Sequence, residues 1–354
     1  MSDDTLAVPL GGIVDAAVGP DGTIYLLDRQ TCVVQRITSK GDVLTPLGRK
    51  GEGPAELSQP ALVVVDAMGR CTVVQDFYAR AVCFDPSGQE CAAADMSPLR
   101  DGYFLTVYTR ATVDHKGRLL VGTIRSKSGG ASEGEGSASI TRLGSPGEGG
   151  ALRLLSSEEG ATDAAMVRLP PKNRRLVYSG WDVSPRGVFA HADPGGTYSV
   201  YIGHTADGPR RKIVLPWKGD DDHGVRRALE QSGIDTDPEA VAKVVSLAWL
   251  DDEYLLVQPV SEWSKLTPGV IGVYDLVGKS GDVVGRWSVR CRYDPEADLT
   301  FIRRDRLIVI EGGASSLRAG LLASGMFVPS QGGGTYPDEI RVSVYQLFAD
   351  ERMR

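Results

Sequence analysis

A unit of apolar strand, tight turn and second apolar strand recurs six times along the chain, and a repeat of this kind constrains the fold more than any single residue does. The copies read VDAAVGPDGTIYLLD from Val14, VVVDAMGRCTVVQD from Val63, ATVDHKGRLLVGT from Ala111, SGWDVSPRGVFAHAD from Ser179, SLAWLDDEYLLVQ from Ser246 and LTFIRRDRLIVIE from Leu299. Gly22, Gly69, Gly117 and Gly187 hold the turn position in four copies, Asp252 and Asp305 in the other two. Glycine and aspartate both accept the left-handed backbone of a tight hairpin. Third and fourth strands follow most pairs, as CVVQRIT then VLTPLG, RAVCFD then ECAAAD, YSVYIG then KIVLP, and IGVYDLV then VVGRWSV.

Repeated four-stranded units around an axis make an all-β, six-bladed β-propeller, expected here as a single domain over residues 1–354. The last unit stops after IRVSVYQLF from Ile340, and Leu6-Ala7-Val8-Pro9-Leu10 at the other terminus is expected to supply its outer strand. That pairing closes the last blade and leaves no long edge exposed. The extra length falls on one side, the top, where second strands end: Ser126 to Ser137, Glu262 to Pro268, a long loop over about 312–337, and connections from Ser156 to Tyr178 and over about 217–244. The last is expected to hold a small helical insertion between blades four and five, with Asp222 capping one helix and Asp237-Pro238 opening another.

Composition removes some function classes. With 46 acidic and 39 basic residues, a net charge of −7 offers no field to neutralise phosphates, so nucleic acid is not an expected partner. No apolar run approaches the ~20 residues of a transmembrane helix. Met1-Ser2-Asp3-Asp4-Thr5 carries no basic region ahead of an apolar stretch, so no signal peptide is expected within this chain. The five cysteines lack C-x-x-C spacing, against a zinc cage. Cys83 and Cys91 flank Pro86-Ser87-Gly88 symmetrically, which allows a cross-strand bond or two free thiols. Neither a G-x-S-x-G elbow nor a P-loop is present.

The segment Gly48-Arg49-Lys50-Gly51-Glu52-Gly53-Pro54-Ala55-Glu56-Leu57 through Pro60, followed by an apolar strand and Asp66, resembles the interblade signature of NHL-repeat propellers. Trp181-Asp182-Val183-Ser184-Pro185-Arg186-Gly187 with Tyr198-Ser199-Val200-Tyr201 resembles bacterial six-bladed members of that kind, many of them exported. The resemblance implies a fold and a binding face and leaves the reaction open, because one fold hosts many functions.

Six residues past each turn position the second strand ends at the top. The ring reads Asp28, Thr123, Asp193, Gln258 and Glu311, and, with one extra residue allowed in the second copy, Asp76. Asp28, Asp76, Asp193 and Glu311 either hold calcium or another divalent cation, or cap their own turns as Asx chemistry permits. Of four histidines, only His191 and His223 are expected to reach the top. Phe77, Tyr78, Tyr103, Tyr108, Arg110, Tyr178, Trp181 and Trp263 lie near top connections, a set that suits a peptide or glycan-like ligand. The expected function is a ligand-binding or protein-interaction propeller that receives a small molecule, peptide or protein at its top face through Asp28, Asp76, Tyr78, Arg110, Trp181, His191, Asp193, Gln258 and Glu311. The alternative, drawn from lactonase-like and strictosidine-synthase-like propellers, is a metal-dependent hydrolase or lyase using the acidic residues; a third reading makes the insertions packing surfaces.

Overall fold

The recurring hairpins are the inner halves of four-stranded antiparallel sheets. A computed structural model describes residues 6–8, 11–76, 80–97, 105–114, 117–126, 136–143, 154–162, 180–193, 197–203, 210–217, 243–259, 269–294, 297–313 and 340–347. Strands dominate the described residues. After β1 (Leu6–Val8), the first sheet holds β2 (Ile13–Val18), β3 (Ile24–Asp28), β4 (Val33–Ile37) and β5 (Val43–Leu47). A short parallel pair, β6 (Arg49–Lys50) and β7 (Glu56–Leu57), precedes the second sheet of β8 (Pro60–Val65), β9 (Cys71–Gln75), β10 (Arg80–Phe84) and β11 (Glu90–Asp95). The third holds β12 (Leu105–Val113), β13 (Leu119–Ser126), β14 (Gly136–Leu143) and β15 (Leu154–Thr162). The fourth holds β16 (Trp181–Val183), β17 (Phe189–Ala192), β18 (Ser199–Gly203) and β19 (Arg211–Val214). The fifth holds β20 (Val244–Trp249), β21 (Tyr254–Pro259), β22 (Val270–Gly278) and β23 (Val283–Arg290). In the sixth, β24 (Leu299–Arg303), β25 (Arg306–Glu311) and β26 (Ile340–Gln346) are completed by β1, with Leu6 opposite Val342 and Val8 opposite Ile340.

Two units divide the chain. One comprises Met1–Pro98, Ser145–Arg153 and Asp294–Arg354, with the sixth, first and second sheets; the other comprises Leu99–Gly144 and Leu154–Tyr293, with the third, fourth and fifth. Within each, the innermost strands of consecutive sheets pack on one another, β2 between β24 and β8, and β16 between β12 and β20. This meander-upon-meander arrangement is that of β-propeller blades. Burial follows it: β3, β9 and β17 are buried at every residue, whereas the outer β5 and β23 are largely exposed. An inner strand is covered on both faces by neighbouring sheets and so reads as a continuous apolar run; an outer one meets water. In the first unit, Leu27, Val34, Leu57, Val73, Val82 and Phe84 form one cluster between the first and second sheets.

The turn glycines behave as their position requires. Gly22, Gly69, Gly117 and Gly187 have φ of +82°, +77°, +72° and +89°, and each donates its N–H to the carbonyl three residues back. Gly41, Gly88 and Gly281 repeat the same bond at outer hairpins. The two aspartates do not. In the sixth sheet the left-handed residue is Arg304, φ +53°, one before Asp305. In the fifth, Asp252 is not left-handed, and Asp251 closes the hairpin by accepting the N–H groups of Glu253 and Tyr254 on Oδ1. The third sheet also departs from expectation, since β15 carries Ser156 to Thr162 as strand rather than connection. The helical insertion over 217–244 and the loop over 312–337 lie almost wholly outside the described residues.

One carboxylate in each unit ties three inner strands together. Asp15 on β2 accepts the N–H of Val63 on β8 (2.9 Å) and pairs with Arg303 of β24 (2.5 Å). Asp182 on β16 accepts the N–H of Trp249 on β20 (2.7 Å) and pairs with Arg110 of β12 (2.7 Å).

Candidate functional site

Strand ends put a polar residue six positions after the turn in every sheet, and its use differs from sheet to sheet. Asp28 is fully buried, and its two oxygens accept the N–H groups of Gly11, Gly12, Gln30 and Thr31 at 2.6 to 3.1 Å. Three of these bonds fall on Oδ1 and one on Oδ2, so the carboxylate is spent chiefly on its own turn and on the strand entry beside it. In the second sheet the sixth position is Gln75, buried, with Oε1 taking the N–H of Ser58 at 2.6 Å. No extra residue is needed there. Asp76 instead lies half-buried beside Arg29 at 3.9 Å. Glu311 stands opposite Arg341 on β26, and the buried acceptor at that end is Asp298, which takes the N–H groups of Gly312 and Asp294.

In the second unit Thr123 and Gln258 are buried, and Gln258 accepts from the Ser246 hydroxyl at 2.9 Å. Arg110 is held by Asp182 and by the carbonyl of Leu247 at 3.1 Å, a tie between inner strands. Among the described residues no three His, Cys, Asp or Glu side chains are grouped to hold a metal ion. Asp28 spends three acceptor bonds on Oδ1 and one on Oδ2, and Asp193 Oδ2 is occupied by the Ser199 hydroxyl (2.7 Å) and Lys212 Nζ (2.5 Å). Tyr78 and His223 lie outside the described residues, as do Phe77, Tyr103, Tyr178 and Trp263.

Trp181, His191 and Asp193 do come together, on one face of the fourth sheet. Register sets Trp181 opposite His191, His191 opposite Tyr201, and Tyr201 opposite Lys212. Directly opposed residues of an antiparallel sheet share a face, so these four make one cross-strand row. Two residues along the strands, Phe189 and Asp193 belong to the same face. Trp181 stacks on Phe189 (centroids 6.1 Å, 21°), and His191 lies flat on Tyr201 (4.7 Å, 8°). The Arg210 guanidinium sits 5.0 Å over the Phe189 ring and Lys212 Nζ 5.6 Å over that of Tyr201. The inner end of this face seals against Leu120 of the third sheet.

Hydrogen bonding fixes the state of His191. The carbonyl of Ala192 only accepts, so Nδ1 carries the proton that it receives (2.9 Å). Arg210 only donates, so Nε2 is the bare nitrogen that accepts (3.0 Å). Burial, helped by the charge of Arg210, pushes the imidazole down to about 4. A neutral ring with both nitrogens engaged is a packing element and leaves no free base. Lys212 goes the other way: its hydrogen bond to Asp193 raises its pKa and holds it as a cation, with its side chain 40% exposed. Tyr201, Arg210 and Lys212 escaped the sequence reading because their shared face appears only once the register of three strands is known.

A second group on the opposite face was also missed. Tyr198 donates to Asp275 Oδ2 (2.7 Å), which Arg286 holds through two further bonds, and Trp217 lies between Tyr198 and the buried Lys243.

No family model matches the sequence, and no curated protein matches it. Among solved structures the chain is similar to a streptogramin B lyase, 11% identical over 99% of this chain and 87% of that one, with a TM-score of 0.46. It is similar to a putative exported protein from Bacteroides fragilis, 9% identical over 98% and 93%, at 0.47, and to a gluconolactonase from Xanthomonas campestris, 12% identical over 87% and 86%, at 0.45.

Proposed function

We propose that the chain is a six-bladed β-propeller of the NHL-repeat type, one domain over residues 1–354, that binds a small molecule or peptide and does not transform it. The binding surface in this reading is the outer half of the fourth sheet, where Tyr201, Arg210 and Lys212 border the stacked rings. One observation carries it: Lys212 stands over a half-buried tyrosine ring on which a neutral histidine stacks, and Arg210 stands over the neighbouring Phe189 ring on the same face of the sheet. Such a surface suits a ligand that joins a flat apolar group to a carboxylate, the ring meeting the outer edge of Tyr201 and the carboxylate meeting Lys212 or Arg210. Asp193 keeps Lys212 charged and aimed. The hydrolase or lyase alternative has less support, because Asp28 takes four amides and Asp193 Oδ2 a hydroxyl and an ammonium.

Benzoate and indole-3-acetate, titrated against labelled protein, are expected to shift resonances of Tyr201 and Lys212, with the shifts lost in Tyr201→Ala and weakened in Lys212→Gln. Shifts that avoid the fourth sheet, or that persist in Tyr201→Ala, would remove the reading.

A further inference from the structure

We infer that Cys83 and Cys91, on the outer hairpin of the second sheet, are a reversible dithiol site that closes to a disulfide by exchange with a small-molecule disulfide. The geometry comes from a bulge. Cys83 on β10 is opposite Ala92, while the next pair is Phe84 with Glu90, so Cys91 is the extra residue of β11. A bulge sets two residues of one strand against one of its partner, which brings Cys91 alongside Cys83 rather than onto the far face. Their sulfurs are 2.9 Å apart and both are free thiols. Closing to a bond of about 2.05 Å needs a movement of roughly 1 Å, within the reach of side-chain rotation.

Exposure orders the steps. Cys91 is exposed and Cys83 is buried at 1%. The Cys91 thiolate attacks the small disulfide, forming a mixed disulfide and releasing one small thiolate. Cys83 then attacks Cys91 Sγ, its proton passing to the second small thiol as that leaves. Two protein thiols lose two electrons and two protons, and one small disulfide becomes two thiols. Burial raises the Cys83 thiol and keeps it from reacting first, and its closeness to Cys91 Sγ carries the second, intramolecular step. Cys71, also in this sheet, is fully buried and out of reach of the reagent.

The test uses the whole chain incubated with oxidised glutathione, then alkylated and mapped by mass spectrometry. The expected product is lighter by two hydrogen atoms, carries a Cys83–Cys91 linked peptide, returns to the starting mass with reductant, and forms equally in Cys71→Ser. Cys83→Ser should stop at a glutathione adduct on Cys91. A wild-type map showing only that adduct, a Cys71 linkage, or no change after prolonged exposure would overturn the inference, and this map decides by itself should Cys83→Ser fail to fold.

Discussion

The two units fasten their inner strands with the same three parts and bury them to different depths. In each, a carboxylate on a middle strand takes a backbone N–H from the next sheet and an arginine from the previous one. The Arg303 side chain in the first unit is 27% exposed, and its other bonds go to the carbonyl of Ala16, the residue after its own partner Asp15, and to that of Ile302 beside it. Arg110 in the second is 11% exposed and reaches past Asp182 to Leu247 on the third strand of the set. The deeper version gains little as an ion pair, because desolvation offsets attraction, but it is far more costly to break. The lesson is that repeated hairpins share a backbone pattern while the ties between them are set by depth.

The largest expected effect breaks that comparison directly. Asp182→Ala orphans the N–H of Trp249 and leaves Arg110 buried without its carboxylate, for an expected loss of about 3–5 kcal/mol. Asp15→Ala leaves Arg303 with access to water, and about 1–3 kcal/mol is expected. Urea denaturation of the two variants measures both. Adding Arg110→Met to Asp182→Ala should recover part of the loss, since no unpaired charge then remains. Equal losses from the two aspartates would mean that depth does not govern these ties.

A second contrast is acid sensitivity, which His191 confers on the second unit. Its folded pKa, about 4, lies below the ordinary 6.5, so the folded state resists protonation. Above the ordinary value neither state is charged and there is no penalty. As pH falls from 6.5 towards 4 the unfolded chain binds a proton that the folded chain does not, and stability declines by on the order of 3 kcal/mol. His191→Phe preserves a ring between Phe189 and Tyr201 without the titrating group. Stability against pH for this variant should be flatter over that window than for the wild type. Parallel curves would show that the imidazole is not held neutral.

The fold was readable where a residue's role is local. Gly22, Gly69, Gly117 and Gly187 announced their turns because a tight hairpin needs positive φ whatever surrounds it, and β1 was found because IRVSVYQLF lacks an outer neighbour. What depends on a neighbouring sheet was not readable. Asp15 and Asp182 look like ordinary polar residues in strands until the N–H groups of Val63 and Trp249 are set beside them. Asp76 enters the ring only if one extra residue is allowed, whereas Gln75 stands at the sixth position itself, and an amide oxygen serves a backbone N–H as a carboxylate does. LLSSEEGAT of β15 holds no aromatic and a single β-branched residue, Thr162, and pairing with β14 overrides that weak preference.

The smallest expected effects come from the hairpins and carry opposite signs in the two units. Gly187, at φ +89°, turns the inner hairpin of the fourth sheet at no steric cost, whereas Arg304, at φ +53°, does so in the sixth with a β-carbon in the way. A left-handed non-glycine residue costs roughly 1–2 kcal/mol, and glycine gives back about 0.5–1 kcal/mol through the greater freedom of the unfolded chain. Arg304→Gly should therefore stabilise by about 0.5–1 kcal/mol, and Gly187→Ala should destabilise by about 1 kcal/mol. Both are read as shifts of the urea midpoint at constant slope, so that a change in the unfolded state is not mistaken for one in the turn. If Arg304→Gly lowers the midpoint instead, the arginine side chain contributes more to the sixth sheet than its backbone strain takes away, and the two turns are not variants of one design.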